Sequence, residues 1–114
     1  MATTKLNIIK DINGTVAYLL PQSNALFTAA LTANVAQSVT APTDAIAYGM
    51  VVGVSNGIDI YISVNGTATI PTGVFAPSNT AQNIAQRYVN AGDVISFLTP
   101  SSGATISVEF YAIQ

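Results

Sequence analysis

Cysteine, histidine and tryptophan are absent from this chain, and ionised side chains nearly so: three Lys or Arg and five Asp or Glu make up 7% of 114 residues. Each absence excludes chemistry. Without cysteine there is no disulfide framework, no thiolate nucleophile and no sulfur-ligated zinc; without histidine the commonest general base and metal ligand is missing. Most hydrolase and metalloenzyme classes fall with them. A net charge of −2 leaves no basic surface to neutralise a phosphate backbone, which argues against nucleic acid as a partner. No uninterrupted apolar run is long enough to span a bilayer, and Met1-Ala2-Thr3-Thr4-Lys5 leads into mixed polar sequence instead of an apolar signal core. The expectation is a soluble, non-enzymatic protein made in the cytoplasm, with no cofactor, no bound metal, no membrane and no small-molecule substrate.

Half of the residues are hydrophobic. Ordinary soluble domains are about 25% charged, so solubility here falls to neutral polar groups: 13 Thr, 9 Ser and 9 Asn. Buried interface centres are depleted in charge, and a monomer with so few ionised groups sits near its solubility limit. Much of the exterior is therefore expected to be covered by other subunits.

Turn residues punctuate the chain, and Val, Ile, Thr, Tyr and Phe fill the segments between them, which predicts an all-β protein. Residues 1–114 read as one domain, a hairpin arm over 1–22 and a sandwich body over 23–114. Asn13-Gly14, Asn56-Gly57 and Asn65-Gly66 each lie between apolar runs and predict three tight hairpins. Closing the first on Asn13-Gly14 pairs Ile9 with Tyr18 and Ile8 with Leu19. Closing the second on Asn56-Gly57 sets Gly53 against Ile60 and Val51 against Ile62, a large-to-small face that reads as core. The opposite face, carrying Tyr48, Met50, Val52 and Tyr61, is half apolar and reads as a surface that something covers. Residues 26–40 predict two short strands broken near Asn34, 71–84 a long loop, 81–86 one helical turn, and 94–98 a strand. Ile106, Val108 and Phe110 alternate with Ser107, Glu109 and Tyr111 in a final strand of period two. About eight short strands with no useful helical period predict an antiparallel β-sandwich, jelly-roll-like.

Gly53-Val54-Ser55-Asn56-Gly57 matches the G-x-S-x-G nucleophile elbow in letters, but that serine needs a histidine and a strand-to-helix turn, and here the motif closes a predicted hairpin. No spacing singles out two of Asp11, Asp44, Asp59, Asp93 and Glu109 as a glycosidase pair; most sit in turns, where aspartate bonds local backbone. Asn13-Gly14-Thr15 and Asn65-Gly66-Thr67 are glycosylation sequons by pattern and turns by context. Tyr48, Tyr61 and Tyr111 are candidates for stacking on sugar, although such rings more often anchor cores and protein interfaces.

Four stretches resemble the small β-sandwich decoration, or cement, proteins of tailed-bacteriophage capsids: Leu31-Thr32-Ala33-Asn34-Val35-Ala36-Gln37-Ser38-Val39-Thr40-Ala41-Pro42, Tyr61-Ile62-Ser63-Val64-Asn65-Gly66-Thr67-Ala68, Asn90-Ala91-Gly92-Asp93-Val94-Ile95-Ser96-Phe97, and the closing strand. The N-terminal hairpin has no counterpart. The resemblance implies a homotrimer on the outside of the virion capsid, binding the major capsid protein across subunit junctions, with no catalytic or metal residues. Tyr48, Met50, Val52 and Tyr61, with Ile9 and Tyr18 of the arm, are the expected contact residues. The alternative is a trimeric tail-fibre tip or carbohydrate-binding module that recognises bacterial surface sugar through loop 71–83.

Overall fold

A computed structural model describes residues 2–7, 9–17 and 19–114. The β-branched and aromatic runs form ten strands: β1 (Ile9–Lys10), β2 (Val16–Ala17), β3 (Ala25–Ala30), β4 (Gln37–Thr40), β5 (Ala47–Val54), β6 (Tyr61–Val64), β7 (Thr80–Gln82), β8 (Gln86–Asn90), β9 (Val94–Leu98) and β10 (Thr105–Ala112). No helix occurs among the described residues. β1 and β2 pair with each other, and the remaining eight make two antiparallel sheets in the spatial orders β3-β10-β5-β8 and β4-β9-β6-β7. Along the chain every connection between these eight crosses to the other sheet, except that from β6 to β7. This is the jelly-roll arrangement, and the expected all-β sandwich of eight strands is the observed fold.

β10 sets the sidedness. Ile106, Val108 and Phe110 are buried, with the half-exposed Ser107 and Glu109 between them. β5 lies beside it in the register Val108↔Val52, Phe110↔Met50 and Ala112↔Tyr48, and directly paired residues project to the same side of a sheet. Tyr48, Met50 and Val52 therefore point into the core, where Tyr48 and Met50 are almost wholly buried. This corrects the expected contact face: on β5 it is Gly49, Val51 and Gly53 that lie outside. The reason is a wrong partner. Asn56-Gly57 does form a turn, with Gly57 at φ 74°, but the chain then crosses to the second sheet, so β5 and β6 never pair. Tyr61 is also buried, packed with Leu98 and Ala68 in a small cluster of its own.

The other Asn-Gly pairs depart from the expected hairpins too. β1 and β2 pair as Ile9↔Ala17 and Lys10↔Val16, one residue off the expected register. Asp11 explains the shift. Its amide donates to the Thr15 carbonyl at 2.8 Å, its carbonyl accepts from Gly14 N at 3.0 Å, and its Oδ1 accepts from Asn13 N and Thr15 N. These bonds select a three-residue loop with Gly14 in the left-handed region at φ 81°. Ile8 and Tyr18, expected in this hairpin, lie outside the described residues. At the third pair, Asn65 adopts φ 58°, but the chain runs on through loop 65–79 before returning as β7. The Asn79 amide lies against Gly66, where a Cβ would force it and the Ser63 hydroxyl to move aside. The helical turn expected at 81–86 is instead the end of β7, a bend and the start of β8. The break near Asn34 is observed, with Asn34 at φ 62° between β3 and β4.

The core fills the space between the sheets. Phe110 stands edge-on to Tyr48 at 6.4 Å and to Phe27 at 5.9 Å, in one core with Met50, Ile62, Val89 and Ile95. Reversed sidedness on β5 gives a direct test. Val52→Lys buries an unpaired ammonium and is expected to cost more than about 3 kcal/mol or to abolish folding, whereas Val51→Lys, opposite Glu109 on the outer face, costs under about 1 kcal/mol. Urea denaturation of the two variants checks this; a larger loss for the Val51 variant than for the Val52 variant would put β5 the other way round.

Candidate functional site

The five carboxylates are all engaged inside the molecule. Asp11 caps the arm turn. Asp59 accepts from Asn83 Nδ2 at 3.1 Å, and Asp93 accepts from Asn65 Nδ2 and Asn90 N, each at 2.9 Å. Glu109 Oε2 accepts from Ser23 N at 2.9 Å and from the Tyr111 hydroxyl at 2.8 Å. Asp44 accepts from Thr3 N at 2.6 Å, Thr3 Oγ1 at 2.8 Å and the Tyr48 hydroxyl at 2.7 Å. Their geometry is that of turn and loop fasteners. Among the described residues no three Asp or Glu gather as a metal cluster would require. Ser55 of the elbow-like motif accepts from Thr105 N at 3.0 Å, tying the end of β5 to the start of β10.

Two of these fasteners hold the root of the arm. Thr4–Leu6 runs parallel to the end of β10, with Ala112 N donating to Thr4 O at 2.9 Å and Leu6 N to Ala112 O at 3.0 Å. Asp44 grips Thr3 ahead of that contact. On the segment returning from the arm, Ser23 Oγ donates to Phe110 O at 2.6 Å and the Tyr111 hydroxyl to Pro21 O at 2.5 Å. The hydroxyl of Tyr48, then Thr3, hold the Asp44 carboxyl down at about 2. Burial and then the Asp44 bond push the Tyr48 phenol up, and burial with the Glu109 bond pushes Tyr111 to about 12.

Between this root and the outer face of the first sheet lies a groove of about 730 Å³, walled by Leu6, Leu19, Leu20, Val51, Tyr88 and Tyr111, with Arg87 at its margin. Gly49 floors it, and a Cβ built there would stand in ordinary van der Waals contact with Leu6 Cδ2, at 3.8 Å. Leu19 is 71% exposed and Tyr88 56%. Further apolar side chains stand free, among them Ile12 at the arm tip, Ile46 before β5 and Val74-Phe75 on loop 65–79, with Ile12 and Phe75 fully exposed. The surface totals 6998 Å², against about 5,900 Å² for a compact monomer of this mass. The radius of gyration, 15.4 Å, likewise exceeds the about 13 Å of a compact chain of this length. The excess, roughly 1,100 Å², exceeds the share one partner contributes to a standard interface, about 800 Å².

The structure thus separates the expected contact residues. Tyr48, Met50, Val52 and Tyr61 belong to the interior. Ile9 lies on the arm strand β1, and Tyr18 falls outside the described residues. Residues missed from sequence are Leu6, Leu19, Gly49, Val51 and Tyr88. Gly49, Val51 and Gly53 share the outer strand face, but a Cβ would fit at either glycine, so no local signal marked the groove. Compared with protein-family models, curated proteins and solved structures, the chain matches none.

Arm anchorage should depend on pH with a definite sign. A carboxyl whose folded pKa is depressed contributes above its ordinary value, about 4, and that contribution is lost as pH falls through about 2. Amide exchange protection at Leu6, referenced to that at Val108, is expected to fall between pH 4 and pH 2. Asp44→Asn should show the same loss already at pH 6, and unchanged protection in that variant would remove Asp44 as the anchor.

Proposed function

We propose that the chain is a structural virion protein, a capsid decoration protein that acts as a homotrimer and binds across major capsid protein subunits. The observation that carries the reading is the distribution of polarity: every carboxylate is committed to an internal bond, while Leu6, Ile12, Leu19, Val74, Phe75 and Tyr88 face outward. Leu6, Leu19 and Tyr88 line one apolar groove, and contiguous exposed apolar surface marks an interaction site. Jelly rolls recur in viral capsid proteins, which supports the assignment alongside the resemblance of the turn-and-strand stretches. Stabilisation of the head is mechanical: each copy clamps neighbouring subunits, and symmetry multiplies modest contacts over the shell. The groove and the arm are the surfaces that grip.

The exposed Phe75 favours a second reading, a trimeric tail-fibre tip or sugar-binding module working through its loop, since a free ring can stack on a saccharide face. Copy number separates the two. Quantitative gels of purified particles should give hundreds of copies for decoration, and a few to some tens for a fibre. Tyr88→Asp, on the exposed groove wall, should leave the melting curve of the free protein unchanged and abolish retention on phage heads during sedimentation. Full retention would move the gripping surface elsewhere.

A further inference from the structure

The two sheets part where their edge strands β3 and β4 face each other, leaving an apolar slot of about 210 Å³ that opens on the core. Its walls include Phe27, Leu31, Val39, Phe97, Ile106 and Val108. Such an opening is an unfilled piece of core, and its walls lose the packing contacts a neighbour would supply. Phe27, at its rim, is 44% exposed. Elsewhere the same molecule holds a large apolar side chain with nothing around it: Phe75, fully exposed on loop 65–79. Pro71 and Pro77 flank that ring, and their fixed φ reduces the freedom the loop must give up on docking.

We propose that Phe75 of one copy seats in the β3–β4 slot of the next, so that three copies close head-to-tail into a ring. Size agrees, since apolar cavities of about 150 Å³ accommodate a benzene molecule. Chemistry agrees as well: neither loop 65–79 nor the slot wall contains an ionised side chain, so no charge loses its water when they meet. Placement decides the occupant. β4 and β7 are the two ends of one four-stranded sheet, so the slot opens on one flank while the loop enters β7 on the other. A knob and socket on opposite flanks make a heterologous contact, which closes into a ring when the rotation between copies allows. The Phe27–Phe110 edge-to-face pair offers the entering ring an aromatic neighbour at the rim.

This contact rests on the trimeric reading, and the test keeps the two apart. Phe75→Ser is expected to raise the concentration at which trimers form by at least about 30-fold in analytical ultracentrifugation. Its circular dichroism should not change, because the ring is free within its own chain. The natural absence of cysteine allows a second measurement with single introduced thiols. Ala76→Cys and Ala29→Cys proteins, mixed and treated with a short bismaleimide, should give the unlike pair in preference to either like pair. Persistence of the trimer in Phe75→Ser, or linkage only between like variants, would overturn the knob and leave the trimer standing. A parent protein that sediments as one protomer at every concentration overturns both.

Discussion

Strand β10 joins the interior to the arm. Its inward residues, Ile106, Val108 and Phe110, fix which side of β5 and β3 faces the core through direct cross-strand pairing. Its outward residues Glu109 and Tyr111 hold Ser23 and Pro21, and the backbone of Ala112 holds Thr4 and Leu6. A slip of one residue in this strand would expose the core and release the arm together, because a sheet's side chains alternate strictly between faces. Core sidedness and arm position are therefore one constraint.

What was legible in the sequence was what a segment decides for itself. The period-two alternation of 106–111, the strand at 94–98 and the break at Asn34 depend on local pattern and local backbone freedom, and all three appear where expected. Partner choice was not legible. An Asn-Gly pair reports that the chain can turn, not that the strands on either side pair, and in a jelly roll most successive strands belong to different sheets. A hairpin at Asn56-Gly57 would make β6 the neighbour of β5 and turn Tyr48, Met50 and Val52 outward, but the neighbours of β5 are β10 and β8, which come later in the chain. The expected contact surface shared that fate. Leu6, Leu19 and Tyr88 become a groove only when the arm crosses the correct outer face. Phe75, by contrast, carried a readable sign, since an apolar pair between two prolines in a long loop has no strand to bury it.

The scarcity of charge has an internal logic. A jelly roll needs many turns and long crossings, and here every carboxylate tightens one of them, from Asp11 in the arm loop to Asp93, which with Asn65 links the β8–β9 turn to the end of β6. Neutral Thr, Ser and Asn are left to keep the remainder wetted. The exterior that results discriminates by shape and apolar area, with few ionised groups to repel or steer an approaching molecule.

The uncharged loop around Val74-Phe75 and the uncharged wall of the opening between β3 and β4 have a thermal consequence. Attraction between such surfaces is not weakened by raising ionic strength, because there are no opposed ions to screen. It responds instead to temperature, since burial of apolar area loses driving force on cooling. Adhesion of this kind holds in brine and loosens in the cold.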